Sequence, residues 1–170
     1  MKFNVAAEMK QPGRAGSYEA LETCPTQSYL GRQIEFASPL AVRAAYVYDG
    51  EGFTVKGEAQ VTLCSECARC GKSFEEPFGF AFEERFVKNP GPDDECYPMG
   101  SEELDIAKMV FDNLFLNLPL HSVCSEDCKG LCPVCGCDLN LVQCACVGAE
   151  DKAINPFAKL ETLLYHDKEV

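Results

Sequence analysis

The strongest constraint on the fold is a cysteine-rich segment at residues 119–147, PLHSVCSEDCKGLCPVCGCDLNLVQCACV. It contains seven of the 12 cysteines of the chain. Its apolar residues are single and scattered, and they follow neither a helical nor a strand period for long enough to build a core. Hydrophobic burial therefore cannot order this segment, and another source of stability is required.

The arrangement of the cysteines indicates metal binding. Cys132-Pro-Val-Cys135-Gly136 has the form of a zinc knuckle, in which two thiolates lie on a tight turn and a glycine lets backbone amides point at sulfur. Cys144-Ala-Cys146 can supply a second pair of thiolates. Four sulfurs at about 2.3 Å satisfy tetrahedral zinc, and binding free energies of roughly 10–16 kcal/mol exceed the entropy cost of ordering such a segment.

Length and composition predict a globular protein of a reducing compartment. A chain of 170 residues can form one domain with a real core and a small added module. The N-terminal sequence MKFNVAAEMK interleaves charges with apolar residues, unlike a secretory signal, and no stretch approaches a transmembrane span. We therefore expect a cytoplasmic protein with reduced thiols, in which C-x-x-C pairs favour metal over a disulfide framework.

The net charge limits the classes of partner. A formal charge of −12 argues against a general nucleic-acid binder, because affinity for phosphate comes mainly from clustered Lys and Arg. Any contact with RNA would have to be small and local.

Alternation of apolar and polar residues predicts an antiparallel sheet. One long strand covers residues 34–48 with a break near Pro39, and a turn at residues 49–52 leads into a second strand over residues 53–63. Five alternating phenylalanines predict a third strand: Phe74, Phe78, Phe80, Phe82 and Phe86. The turn from Cys67 to Gly71 is then the tip of a hairpin. Residues 3–7 suggest a short edge strand, and residues 11–28 give no firm prediction.

Two helices are predicted. The first runs from about Leu104 to Leu118 and ends before Pro119, with Asp105 suited to its positive N-terminal end. It is apolar almost all round, so we expect it to be buried against the sheet. A short closing helix follows Asn155-Pro156, and its apolar face is Phe157, Leu160, Leu163 and Leu164.

Together these elements predict an α+β fold. An antiparallel β-sheet, built as hairpins or a partial barrel, packs with one buried helix and is followed by a small cysteine-rich zinc module. We expect the sheet domain at residues 1–118, the zinc module at 119–150, and the closing helix and tail at 151–170.

A second metal site needs a tertiary assumption. Cys67 and Cys70 supply two of the four ligands that a zinc site needs, and a pair that follows the helix, Cys124 and Cys128, also supplies two. If the helix packs on the sheet, its C-terminal end can lie beside the hairpin turn. We therefore predict two structural zinc ions, one held by Cys67, Cys70, Cys124 and Cys128 and the other by Cys132, Cys135, Cys144 and Cys146.

Other side chains compete for these positions. Cys64 could replace a member of the first site, although its place at the end of an alternating strand indicates a strand side chain. Cys137 could enter the second site, but its position just after Gly136 suggests that it points away. His121 could replace Cys124, although a lone histidine after an apolar helix is more often a surface or capping residue. Cys24 and Cys96 receive no role.

The motifs resemble those of the YceD family of bacteria and chloroplasts. The resemblance rests on VTLCSECARCGK, on an acidic lead into a helix that ends NLPL, on CSEDCKGLCPVCGCDLN with a following C-x-C, and on NPFAKL, over about residues 53–164. It implies a role in accumulation of large-subunit ribosomal RNA, without catalytic activity. Some members of the family keep C-x-x-C but lack the second cysteine cluster, which implies that the second site is an added stabilising module.

The leading hypothesis is therefore a non-enzymatic factor of ribosome biogenesis whose zinc sites hold a recognition surface. Four cations are candidates for contact with RNA or another partner: Arg69, Lys72, Arg85 and Lys129. Each of them taken singly can equally be a solvated charge, and a basic ribosomal protein suits the acidic chain as a direct partner. We expect neither a membrane nor a small-molecule substrate as partner.

Two other classes of function stay open. A thiol-disulfide redox or redox-sensing protein would use Cys67 and Cys70, but these follow one strand and precede another, without the helix N-terminus that lowers a thiol pKa. A zinc-ribbon interaction module shares the metal chemistry, but the transcription type normally carries a basic face.

Overall fold

The computed structural model describes residues 1–92 and 94–146. Nine strands and one α-helix follow one another along this part of the chain. The strands are β1 Lys2–Asn4, β2 Ala15–Glu22, β3 Gln27–Tyr29, β4 Arg32–Phe36, β5 Leu40–Tyr48, β6 Gly52–Glu66, β7 Ser73–Val87, β8 Tyr97–Pro98 and β9 Glu103–Asp105. The helix α1 is Ala107–Asn117, and a 3-10 turn lies at Glu8–Lys10. The predicted closing helix after Asn155 lies outside the described residues.

The main sheet is built around β6. On one side β6 pairs antiparallel with β7 over its whole length, from Gly52↔Val87 to Glu66↔Ser73. It also pairs with β5 through its first part and with β4 near its end, at Phe36↔Leu63. The alternation of apolar and polar residues in β5, β6 and β7 therefore gives each strand one buried and one exposed face. The three strands and the break near Pro39 are confirmed.

A small second sheet corrects the predicted start of the helix. The helix begins at Ala107, not Leu104, because Glu103–Asp105 forms β9 and pairs with β1. Leu104 and Ile106 are fully buried, and they reach the core from strand β9 and from the connection to the helix. Asp105 still accepts a hydrogen bond at the helix start, from the Ala107 amide at 3.0 Å.

The helix is amphipathic rather than apolar all round. Met109, Val110 and Leu114 are fully buried, whereas Leu116 is 77% exposed. Asn113 is buried instead, and its amide donates to Glu84 of β7 at 3.1 Å. One helix therefore packs on the sheet, as predicted.

Strand β2 is the longest described element that the sequence analysis did not predict. It pairs antiparallel with β5 over eight positions, from Ala15↔Val47 to Glu22↔Leu40. Tyr18 contributes its ring to the core and stacks on Phe3, with ring centroids 4.5 Å apart.

The chain divides into two compact units. The sheet unit consists of Met1–Cys67 and Lys72–Cys124, and the cysteine-rich unit consists of Ala68–Gly71 and the described residues from Ser125. The hydrophobic core belongs to the sheet unit and includes Phe53, Phe86, Leu40, Val55, Leu104, Met109 and Leu114, all fully buried. In the part of the chain that the structure describes, no helix is long and apolar enough to cross a membrane.

Candidate metal centres

The structure brings eight cysteines together as two groups of four. The sulfurs of Cys67, Cys70, Cys124 and Cys128 form the first group, and those of Cys132, Cys135, Cys144 and Cys146 form the second. In each group the four Sγ atoms lie within 4.8 Å of one another. Tetrahedral zinc bound at about 2.3 Å requires sulfur–sulfur separations of about 3.8 Å, which this upper limit allows. Each group could hold a metal ion, and four thiolates are a donor set that suits zinc.

The two knuckles share one backbone template. In the first, the amide of Cys67 donates to the carbonyl of Lys72 at 2.9 Å, and Gly71 has a positive φ of 68°. In the second, the amide of Cys132 donates to the carbonyl of Cys137 at 2.8 Å, and Gly136 has a φ of 72°. The glycine is required at both turns because the left-handed conformation is strained for other residues. The C-x-x-C-G sequence therefore forms the same backbone turn at both places.

Hydrogen bonds prepare the second group for a cation. The backbone amides of Cys135 and Val134 donate to the sulfur of Cys132 and lower the pKa of this thiol to about 6. A hydrogen bond to Cys135, with burial and the charges of the neighbouring thiolates, raises the pKa of Cys146 to about 11. Thiolates this close repel one another, and a divalent cation among them removes the repulsion. A divalent cation in this group would therefore stabilise the thiolate forms of the crowded sulfurs.

Hydrogen bonds join Arg69 of the first knuckle to the segment that follows Ser125. The guanidinium of Arg69 donates to the carbonyls of Glu126 and Cys128 at 2.8 and 2.9 Å. The carbonyl of Arg69 accepts from the amide of Leu131 at 3.1 Å. Gly130 allows this approach, because a Cβ at this position would lie 2.9 Å from the Arg69 carbonyl oxygen. Arg69 thus has a structural role within the cysteine-rich unit.

Asn140 is a residue that sequence reasoning missed. Its Nδ2 lies 3.5 Å from the sulfur of Cys128, and its Oδ1 accepts from the amide of Lys129 at 2.8 Å. Asp138 orients it, since Asp138 Oδ1 accepts from both nitrogens of Asn140 at 2.8 and 2.7 Å. The only signal in the sequence is an Asx pair just after a knuckle, which is also typical of an ordinary turn.

The competing side chains remain outside the two groups. Cys64 is exposed on β6, where it pairs across the strands with Glu35 and Glu75. His121 belongs to neither group among the described residues. Cys137 does not point away as predicted: hydrogen bonds with Cys135, together with burial and contact with Cys144, raise its pKa to about 12.

The four predicted contact cations do not form one patch. Lys72 and Lys129 are exposed, and Arg69 is engaged as described above. Arg85 pairs with Asp49 at 2.8 Å and lies opposite Thr54, whereas Ser73, next to Lys72, lies opposite Glu66. Ser73 and Arg85 are therefore about 40 Å apart along β7, at about 3.4 Å per residue. Contact of these cations with a partner stays a prediction.

Comparison with known proteins then assigns the family. The sequence model of the family described as "Large ribosomal RNA subunit accumulation protein YceD" matches residues 55–164, well over half of the chain. The chain belongs to the YceD family. All eight grouped cysteines lie within the matched residues. The family name describes an accumulation factor for ribosomal RNA rather than an enzyme.

Individual relatives are similar over different lengths. A chloroplastic YCED homolog of Zea mays is 36% identical over 61 residues, which cover 35% of this chain but 21% of the maize protein. An uncharacterized protein of Mycobacterium tuberculosis is 33% identical over 148 residues, covering 82% of this chain and 70% of that protein. An uncharacterized protein of Mycobacterium leprae is 26% identical over 136 residues. No solved structure matches this YceD chain.

Proposed function

We propose that the protein is a non-enzymatic factor of ribosome biogenesis that supports accumulation of large-subunit ribosomal RNA. One observation supports this most: the family match contains both four-cysteine groups, so the features that order the cysteine-rich unit are within the region that defines the family. The maize relative carries the same function in its name. We further propose that the protein acts in the cytoplasm.

Two zinc ions have a structural role in this proposal. A catalytic zinc keeps three protein ligands and one open position, whereas each group here offers four sulfurs and is complete. The same completeness supports metal binding over thiol-disulfide exchange, because both C-x-x-C pairs lie among two further sulfurs instead of standing alone. The eight residues proposed as ligands are those of the two groups.

The recognition surface is proposed to be the outside of the cysteine-rich unit. Arg69 is held by the carbonyls of Glu126 and Cys128. Of the other candidate cations, the exposed Lys129 lies on a turn that metal would fix, and the exposed Lys72 follows the first knuckle directly at the start of a sheet-unit segment. With a net charge of −12, these few cations supply local contact with ribosomal RNA, or the acidic surface binds a basic ribosomal protein. Pull-down from cell extract with and without nuclease separates the two partners, because nuclease abolishes only an RNA-mediated interaction.

Complementation tests the function itself. In cells that lack the protein, we expect the ratio of large- to small-subunit ribosomal RNA to fall and the wild-type chain to restore it. Cys128→Ser, which changes a buried member of the first group, should fail to restore the ratio, while Cys64→Ser, which changes an exposed cysteine outside both groups, should restore it. An unchanged ratio in the cells that lack the protein would contradict the proposal.

A further inference from the structure

The position of Asn140 relates it to both groups of cysteines. In sequence it lies between Cys135 and Cys144, so its loop is anchored at both ends by members of the second group. In space its carboxamide contacts the sulfur of Cys128, a member of the first group, with Nδ2 at 3.5 Å from Sγ. A hydrogen bond to sulfur is commonly this long, so the contact is a genuine N–H···S interaction.

The orientation of the carboxamide is fixed by its other partners. The amide of Lys129 can only donate, so the group that meets it at 2.8 Å must be the oxygen of Asn140. The NH₂ group therefore faces Cys128 and Asp138. The hydrogen-bond network therefore fixes the NH₂ group of Asn140 as the donor to the sulfur of Cys128.

A donor at this position stabilises a metal-bound thiolate. An N–H that donates to a metal-bound sulfur fixes the position of that ligand and offsets part of its negative charge. Residues outside the ligand set that orient or hydrogen-bond a ligand typically change metal affinity by 10–100-fold when they are replaced. The backbone adds a second connection, since Leu139 donates to the carbonyl of Gly130 at 2.9 Å.

We propose that Asn140 couples the two metal centres. Metal in the second group holds the loop from residue 137 to residue 144 in place, and the Asn140 carboxamide then stabilises the Cys128 thiolate of the first group. Metal is consequently lost from the first group more slowly while the second group is loaded. This inference rests on the metal loading proposed above and not on the ribosomal role.

Release kinetics of the full chain test the coupling. The protein loaded with zinc is mixed with excess EDTA, and the metal that remains bound is measured over time. The double variant Cys144→Ser/Cys146→Ser lacks two ligands of the second group, so the release phase that it retains belongs to the first group. We expect Asn140→Asp, which replaces the NH₂ donor by oxygen, to accelerate release from the first group about tenfold. Emptying the second group should have a similar effect, and the two changes together should add little to either alone. Asn117→Asp is the matched control, because the carboxamide of Asn117 donates to a helix carbonyl, that of Asn113, at 2.8 Å.

A spectroscopic readout separates a direct contact from general loosening. With ¹¹³Cd in place of zinc, Asn140→Asp should shift the resonance of the first group and leave that of the second group in position. If Asn140→Asp does not retain both ions, Asn140→Gln, which keeps the donor but displaces it, is used in the same two assays.

The outcomes are distinct. Release from the first group that is unchanged in Asn140→Asp, or effects of the two changes that multiply as independent factors, would overturn the coupling. A wild-type chain that binds no metal would instead contradict the metal loading itself. An unchanged ratio of large- to small-subunit ribosomal RNA in cells that lack the protein would contradict only the proposed function and would leave the coupling unaffected.

Discussion

The sheet unit and the cysteine-rich unit bury different kinds of side chain. In the sheet unit, Phe53 and Phe86 are fully buried, and aromatic rings stack along β7 and β8. In the cysteine-rich unit, the large apolar residues face water: Val134 is 73% exposed and Leu141 is 82% exposed. Among its described residues, the buried apolar side chains are Cys128 and Cys132. Among the described residues, the cysteine-rich unit therefore buries cysteines where the sheet unit buries large aromatic rings.

The difference shows how short segments with few apolar residues can still be ordered. Burial of apolar area scales with the number of large side chains, and a segment with scattered single leucines cannot offset its conformational entropy in that way. Four thiolates around one metal ion can, because the binding free energy of the ion becomes folding free energy. The two units should therefore respond to different perturbations, and the following experiments separate them.

The largest effect is expected from loss of a ligand in the second group. Cys132→Ser removes a buried sulfur, so one of the two metal ions should be lost, together with metal-binding free energy on the order of 10 kcal/mol. Metal analysis should give about one zinc per chain. Hydrogen exchange should show lost protection in the cysteine-rich unit and retained protection in β5–β7. Cys64→Ser should keep both ions, and a Cys132→Ser protein that also keeps both would contradict the role of the second group.

The converse perturbation acts on the core. Phe86 is fully buried and stacks on Tyr97 with centroids 5.4 Å apart, so Phe86→Ala should lower the free energy of unfolding of the sheet by about 3–5 kcal/mol. Urea denaturation followed by circular dichroism measures this change, and the metal content of the folded protein should not change. Leu21→Ala is the control, because Leu21 is 71% exposed and its removal should have little effect.

A smaller effect is expected at Gly130. Its φ of 74° and the 2.9 Å approach of a Cβ to the Arg69 carbonyl oxygen make alanine unfavourable twice over. Gly130→Ala should destabilise the cysteine-rich unit by about 1–3 kcal/mol, measured by hydrogen exchange of that unit. Gly136→Ala has a similar φ of 72° but nothing within 4 Å, so it should cost less. An equal loss of stability at the two positions would show that the close approach of residue 130 to the Arg69 carbonyl does not affect stability.

The smallest effect concerns a tyrosine of the sheet unit at high pH. Burial, followed by the hydrogen bond to Asp112, raises the pKa of Tyr97 to about 12. Because the folded state favours the neutral phenol, this contribution to stability is complete below pH 10 and is lost as the pH rises from 10 to 12. Denaturation at pH 9 and pH 11 should show a larger loss for the wild type than for Tyr97→Phe. An equal loss in both proteins would exclude Tyr97 as its origin.

The sequence predicted the elements whose pattern is strong and local. Alternation of large apolar residues identified β5, β6 and β7, and C-x-x-C-G identified both knuckles, because each pattern follows from backbone geometry within a few residues. The grouping of Cys67 and Cys70 with Cys124 and Cys128 followed from one packing assumption, and the structure has this grouping. The role of all eight cysteines as zinc ligands stays a prediction.

Elements with weak or ambiguous patterns were missed. Strand β2 carries a single large aromatic residue on its inner face, Tyr18, so its alternation is shallow. The apolar residues Leu104 and Ile106 directly precede the helix and could either extend it or form a strand, and the pairing of β9 with β1 decides between the two. Asn140 has its role through a contact with a cysteine twelve positions earlier, which no local pattern reveals.

Metal removal followed by hydrogen exchange tests the central claim most directly. The purified, reduced protein should contain about two zinc ions per chain, and a chelator should remove the protection of residues 68–71 and 125–146 while β5–β7 stay protected. Metal-free protein with full protection in both units would contradict the claim that sulfur-bound metal orders the cysteine-rich unit.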